Sequence, residues 1–129
     1  MGDDKGRIYR VYPEGATLRK SPRLDRMNTA ELVAALDSPN GWQRDMAQRL
    51  LVERAEKSAT APLNQLLGVT HAPQVRLQAL ATLGLLGVLT PETLLTALAD
   101  PHPAVRCEAL RQSEPQTAMA DTLFPAVAA

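Results

Sequence analysis

Two histidines, one cysteine and three evenly placed arginines are the side chains whose types and spacing could do chemistry in this chain. His71 and His102 stand 31 residues apart, which invites a shared metal. Cys107 follows His102 by five residues, so a Cys-His nucleophile or zinc site is a second candidate. Arg44, Arg76 and Arg106 each stand three residues before an alanine, Ala47, Ala79 and Ala109. Three guanidinium groups along one layer of helices would form a positive stripe suited to phosphate.

Each of these has a plainer reading. Equivalent positions in adjacent structural repeats lie roughly 8 to 10 Å apart, the helix packing distance, which is too far for two ligands of one zinc. The histidines then read as turn residues near helix N-termini. Cys107 has no second cysteine and reads as a buried thiol. The arginines read as struts that cross a turn to a carboxylate or carbonyl, for instance Arg44 to Asp37 and Arg106 to Asp100, stapling hairpin to hairpin. Asp45, Glu53 and Glu56 have basic neighbours and read as solvated helix faces. GxGxxG, Walker, GxSxG and HExxH patterns do not occur. The expectation is therefore a non-enzyme with no catalytic residue, no cofactor and no metal. Trp42, beside Gly41 at a helix start, has the size and position of a contact hot spot, although packing on the lead-in segment is the simpler expectation. Trp42, Arg44, Arg49, Arg76 and Arg106 are the candidate interaction residues.

What positions them is a repeat. Leu32, Leu63 and Leu94 are 31 residues apart, as are Leu36, Leu67 and Leu98, and the arginine series follows about one helix later in each unit. Such a period marks stacked helical hairpins, each with an apolar face that only a neighbour can bury. Composition agrees. Hydrophobic residues make up 45% of the 129 residues and aromatics only 3%, so the core is aliphatic and the fold class all-α. Net charge is zero, but residues 1–27 are basic and the helical remainder is mildly acidic. One cysteine excludes an internal disulfide framework, and no run approaches the roughly 18 apolar residues of a membrane span.

Residues 7–12, Arg-Ile-Tyr-Arg-Val-Tyr, read as a short strand closed by Pro13, Glu14 and Gly15, and a linker continues to residue 27. Hairpins occupy residues 28–113. Asn28 with Glu31 predicts a capping box ahead of a helix over 29–37. A turn at residues 38–41 leads to a helix over 42–56. The second hairpin has helices over 61–69 and 74–86, with Gly87 closing it. In the third, Thr90, Pro91 and Glu92 predict a helix start, and the turn Asp100-Pro101-His102-Pro103 leads into a helix to Gln112. Residues 114–129 read as a partial fourth unit and tail. Seven residues after the arginines stand Leu51, Leu83 and then Ser113, so the last unit loses an apolar contact. Uncapped repeat ends predict self-association, or contact with a neighbouring domain, at one or both ends.

The phasing Leu-x-x-x-Leu, proline-containing turn, Arg-x-x-Ala resembles HEAT repeats over about residues 29–113, best in Leu66–Leu83 and Ala97–Ala109. That resemblance implies an α-α superhelix of about three hairpins with a short strand-like lead-in. A closer likeness runs through Gly6–Val11, Leu32–Trp42 and Arg44–Arg54, which are similar to the middle of large bacterial proteins of the membrane-bound dehydrogenase or PVC-type haem-binding kind. In those, a sugar-dehydrogenase-like β-propeller precedes the repeats and a cytochrome c-like domain follows. The resemblance implies that residues 7–12 are the last propeller strand, that the chain is a connector between redox modules, and that it works in the cell envelope. The family's haem motif CxxCH is absent, and Gln43 stands where the family often has a second aromatic. The implied partners are proteins or neighbouring domains. The alternative is nucleic-acid binding as in HEAT-like DNA glycosylases, against which the neutral charge and acidic helical region weigh.

Overall fold

The computed structural model describes Tyr9 and residues 11–17, 21–68 and 70–114. Six α-helices occur among the described residues: α1 Thr29–Ala35, α2 Gly41–Glu53, α3 Thr60–Leu66, α4 Pro73–Leu85, α5 Pro91–Leu98 and α6 Pro103–Ser113. Short 3₁₀ turns cover Leu24–Arg26 and Lys57–Ala59.

Helix starts follow local chemistry. The Asn28 carboxamide oxygen accepts from the Glu31 amide at 2.9 Å, and the Glu31 carboxylate accepts from the Asn28 amide at 2.8 Å, closing the capping box of α1. The Asn40 and Thr90 side chains accept from the Trp42 and Thr93 amides at the starts of α2 and α5. Proline fills the first position of α4, α5 and α6, where a missing N–H costs nothing.

Two helix ends need a left-handed residue. At the end of α4, Gly87 has φ +66°, with Gly87 N–H donating to Gly84 O at 3.0 Å and Val88 N–H to Leu83 O at 3.1 Å. This is the Schellman arrangement, in which glycine carries no steric penalty. The end of α2 has the same bonds, Ala55 N–H to Val52 O at 3.0 Å and Glu56 N–H to Leu51 O at 3.1 Å, but the left-handed residue is Ala55 at φ 51°. Consequently α2 stops at Glu53, three residues before the sequence pattern suggests.

The helices pair as hairpins, α1 with α2, α3 with α4 and α5 with α6, and the second helices pack side by side, α2 on α4 and α4 on α6. Two apolar clusters result. The larger joins Leu32, Leu36, Ala47, Leu51, Leu63, Val75, Ala79 and Leu83 and spans the first two hairpins. A smaller one joins Leu80 to Ala97, Val105 and Ala109. Each fully buried leucine contributes on the order of 1.5 to 3 kcal/mol.

The lead-in differs from expectation. Tyr9, Val11 and Tyr12 are exposed and no strand occurs among the described residues; the rest of the 7–12 run lies outside them. Instead, Leu24 in the first 3₁₀ turn is buried in the larger cluster, and the Arg54 guanidinium donates to Asp25 O at 2.9 Å and Met27 O at 2.7 Å. The first 3₁₀ turn thus packs on the first hairpin at α2. The expected fourth unit lies outside the described residues after Glu114. No helix among the described residues is long and apolar enough to cross a membrane.

Candidate functional site

The three arginines are brought into one structural role. Each is the fourth residue of its helix. Helical side chains lean back toward the N-terminus, so the guanidinium lies over the turn that precedes the helix. Arg44 donates to Ser38 O at 2.7 Å, Arg76 to His71 O, and Arg106 to Asp100 O at 2.8 Å and Pro101 O at 3.1 Å. Turn carbonyls that would otherwise be left without donors are satisfied in this way.

Arg76 does more. Its Nε and second terminal nitrogen donate to the two Asp100 carboxylate oxygens, each at 2.8 Å, in a fork that ties α4 to the turn of the next hairpin. The two side chains are only 4% and 5% exposed. Asp100 Oδ1 also accepts from the His102 amide at 2.7 Å. The Arg76 hydrogen bonds hold the Asp100 carboxyl below its ordinary range against the opposing effect of burial, and the His102 amide adds to the lowering. The bond to Asp100 likewise raises the Arg76 guanidinium despite its desolvation. Charge and hydrogen-bond capacity are matched inside the fold.

Of the two pairings expected from sequence spacing, Arg44 with Asp37 is not made and Arg106 with Asp100 is. Asp37 does not meet Arg44; its carboxylate faces His71 Nδ1 at 3.3 Å. Arg106 does meet Asp100, at its carbonyl, because the carboxylate is held by Arg76 from the preceding hairpin. Thr70 occupies, six residues before Arg76, the place that Asp100 has before Arg106. The staple is therefore made at the second joint and not at the first. There, Arg44 Nε is buried without a hydrogen-bond partner.

A polar seam between α2 and α4 had no signal in the repeat pattern. Gln78 donates to Asp45 at 3.0 Å and to Gln48 at 3.3 Å, Gln48 donates to Thr82 at 3.2 Å, and Thr82 donates to Gln78 O at 2.6 Å. These side chains satisfy one another between the two helices.

His102 caps α6, accepting from the Ala104 amide at 3.2 Å, and His71 lies in the turn before α4. Both are turn residues, and no group of three potential metal ligands occurs among the described residues. Cys107 is exposed, contrary to the buried thiol the sequence suggested. Val105 and Ala109 are the residues α6 buries, and a residue two positions from Val105 points about 200° away from it. Cys107 and Leu110 take the places in α6 that Leu77 and Leu80 have in α4. In α4 those leucines pack under the third hairpin; in α6 Leu110 is 40% exposed.

Trp42 is 59% exposed near the start of α2. Arg49, on the same helix, pairs with Glu53 at 2.6 Å on the surface. Of the five candidates, Arg76 is buried, Arg44 and Arg106 are committed to turns, and Trp42 and Arg49 face solvent. A shallow groove separates α3 from α5, about 350 Å³ between Asn64, Gly68, Glu92 and Thr96, continuing into about 230 Å³ over Leu67, Ala97 and Val105.

Comparison with known protein families, curated proteins and solved structures finds no significant match for this chain.

Proposed function

We propose that the chain is a HEAT-like α-α superhelix whose role is to bind protein, as a scaffold between neighbouring domains, with no catalysis of its own. The observation that carries this reading is the outer face of α6. It repeats the register of the α4 face on which the third hairpin packs, yet Leu110 and Cys107 are exposed there. A helix face with the pattern of an internal joint is suited to receive another helical element. Trp42 adds an exposed aromatic at a second position.

The resemblance to bacterial dehydrogenase-type multidomain proteins supports a more specific version, in which the module joins a sugar-dehydrogenase-like propeller to a cytochrome c-like domain in the cell envelope. The nucleic-acid alternative loses its central feature, since Arg76 is buried and paired and the other two arginines are tied to turn carbonyls. Photo-crosslinking residues at positions 110 and 42 of the native protein test the interaction role. Adducts to a defined polypeptide, in the same chain or another, are expected. Adducts to nucleic acid, or none at either position, contradict it.

A further inference from the structure

The two joints between hairpins are built differently. Across the first, the larger apolar cluster runs without interruption from Leu32 and Leu36 through Ala47 and Leu51 to Val75, Ala79 and Leu83. Across the second, Leu80 is the one fully buried α4 residue in the small cluster with Ala97, Val105 and Ala109, and half-buried Leu67, Leu77, Leu89 and Leu98 pack against it. The clusters share no fully buried residue, and half-buried Leu67 and Leu89 touch both. Between the first helices of this joint lies the groove of about 350 Å³, crossed at one end by a Thr93 to Asn64 hydrogen bond of 3.2 Å. The second helices stay close, with Gly84 against the Gln112 side chain. One joint is thus closed along α4 and α6, open between α3 and α5, and fastened by the buried Arg76–Asp100 pair.

The geometry points to the third hairpin, α5 with α6, opening as one unit from the body formed by α1 to α4, with the Arg76–Asp100 pair as its latch. The fully buried part of this joint is small, two alanines and one valine beside Leu80, with its leucines only half-buried around it. Opening places the latch in water, where both ions regain hydration. The connection Leu86–Thr90, with Gly87 at φ +66°, is the chain segment about which the unit turns. Local opening of this kind is a property of contiguous units with few buried contacts to their neighbours.

Native-state hydrogen exchange of the full chain, resolved by peptide, tests this. In the wild type, the protected amides of α5 and α6 should exchange through an opening that leaves α1 and α2 protected. Asp100→Asn keeps the side-chain shape but leaves the Arg76 charge buried without its counterion. It should accelerate exchange in α5 and α6 by at least about a hundredfold, with α1 and α2 unchanged. Leu51→Ala should do the reverse, accelerating α1 and α2 and leaving the third hairpin's own opening as it was. Val105→Ala, which preserves the ion pair, should accelerate α5 and α6 by about tenfold, and serves if Asp100→Asn prevents folding. Equal acceleration of α1, α2, α5 and α6 by either third-joint variant would show a single cooperative unit and overturn the proposal. No acceleration by Val105→Ala would do the same.

Discussion

Removing the Asp100 carboxylate should be among the most damaging single changes in this protein. Asp100→Ala leaves the Arg76 guanidinium with two donors unpartnered at a site where its side chain is 4% exposed, and it strips the His102 amide of its acceptor. Breaking one side of a buried pair costs about 3 to 5 kcal/mol, because the remaining ion is desolvated without compensation. That is a large share of the roughly 5 to 15 kcal/mol that stabilises an ordinary domain. Replacing both partners by apolar residues, Arg76→Met with Asp100→Leu, should cost far less than Asp100→Ala alone, since no charge is left buried. Urea unfolding followed by far-ultraviolet circular dichroism is the appropriate assay; Trp42 is largely exposed in the folded chain and its emission reports packing poorly. The pair also has a pH signature. The folded Asp100 pKa lies below the ordinary aspartate value, so its contribution is complete above about pH 4 and is lost as pH falls through the folded value. Asp100→Asn should remove that acid-dependent component. A loss of under about 1 kcal/mol for Asp100→Ala, the range of an exposed ion pair, would refute the reasoning.

Three further outcomes are expected. Ala55→Gly should raise stability by about 1 kcal/mol, because Ala55 occupies a left-handed conformation that costs an L side chain and glycine does not pay this penalty; a loss measured in urea would mean the α2 end differs from the one described. Thr70→Asp should offer Arg44 the carboxylate that Asp100 supplies to Arg76 and stabilise by about 1 kcal/mol, reversed by Arg44→Met, whereas an effect independent of Arg44 would contradict the register argument. Cys107 should react with a thiol reagent in the native protein at close to the rate in denaturant, and strong protection would place α6 differently.

Local chemistry made the helix starts legible. Asn28 with Glu31 and Thr90 with Pro91 act on groups within a few residues, so their meaning survives without tertiary knowledge. The leucine period placed Leu32, Leu63 and Leu94 in the interior for the same reason: a repeat carries its neighbour's constraint in its own spacing. Ala55 was illegible because alanine is a strong helix former, and the chain reversal that forces it left-handed is a property of the whole hairpin. Arg106 meets Asp100 through the carbonyl as the spacing allowed, whereas Asp37 does not meet Arg44 and the carboxylate of Asp100 turns toward the preceding repeat, a direction that spacing within one unit does not specify. Cys107 was assigned burial from residue type, and its exposure depends on which helix face has a neighbour.

At the centre of the account is the claim that the arginine series is consumed by the fold and that the open surface is for protein. Titrating a labelled DNA duplex into the full chain across salt concentrations tests it most directly. We predict no saturable binding even at about 50 mM salt, and the same null result for Arg44→Gln and Arg106→Gln. Saturable binding whose logarithm falls with log salt at a slope of about −0.9 per phosphate contacted, and which weakens in those two variants, would contradict it.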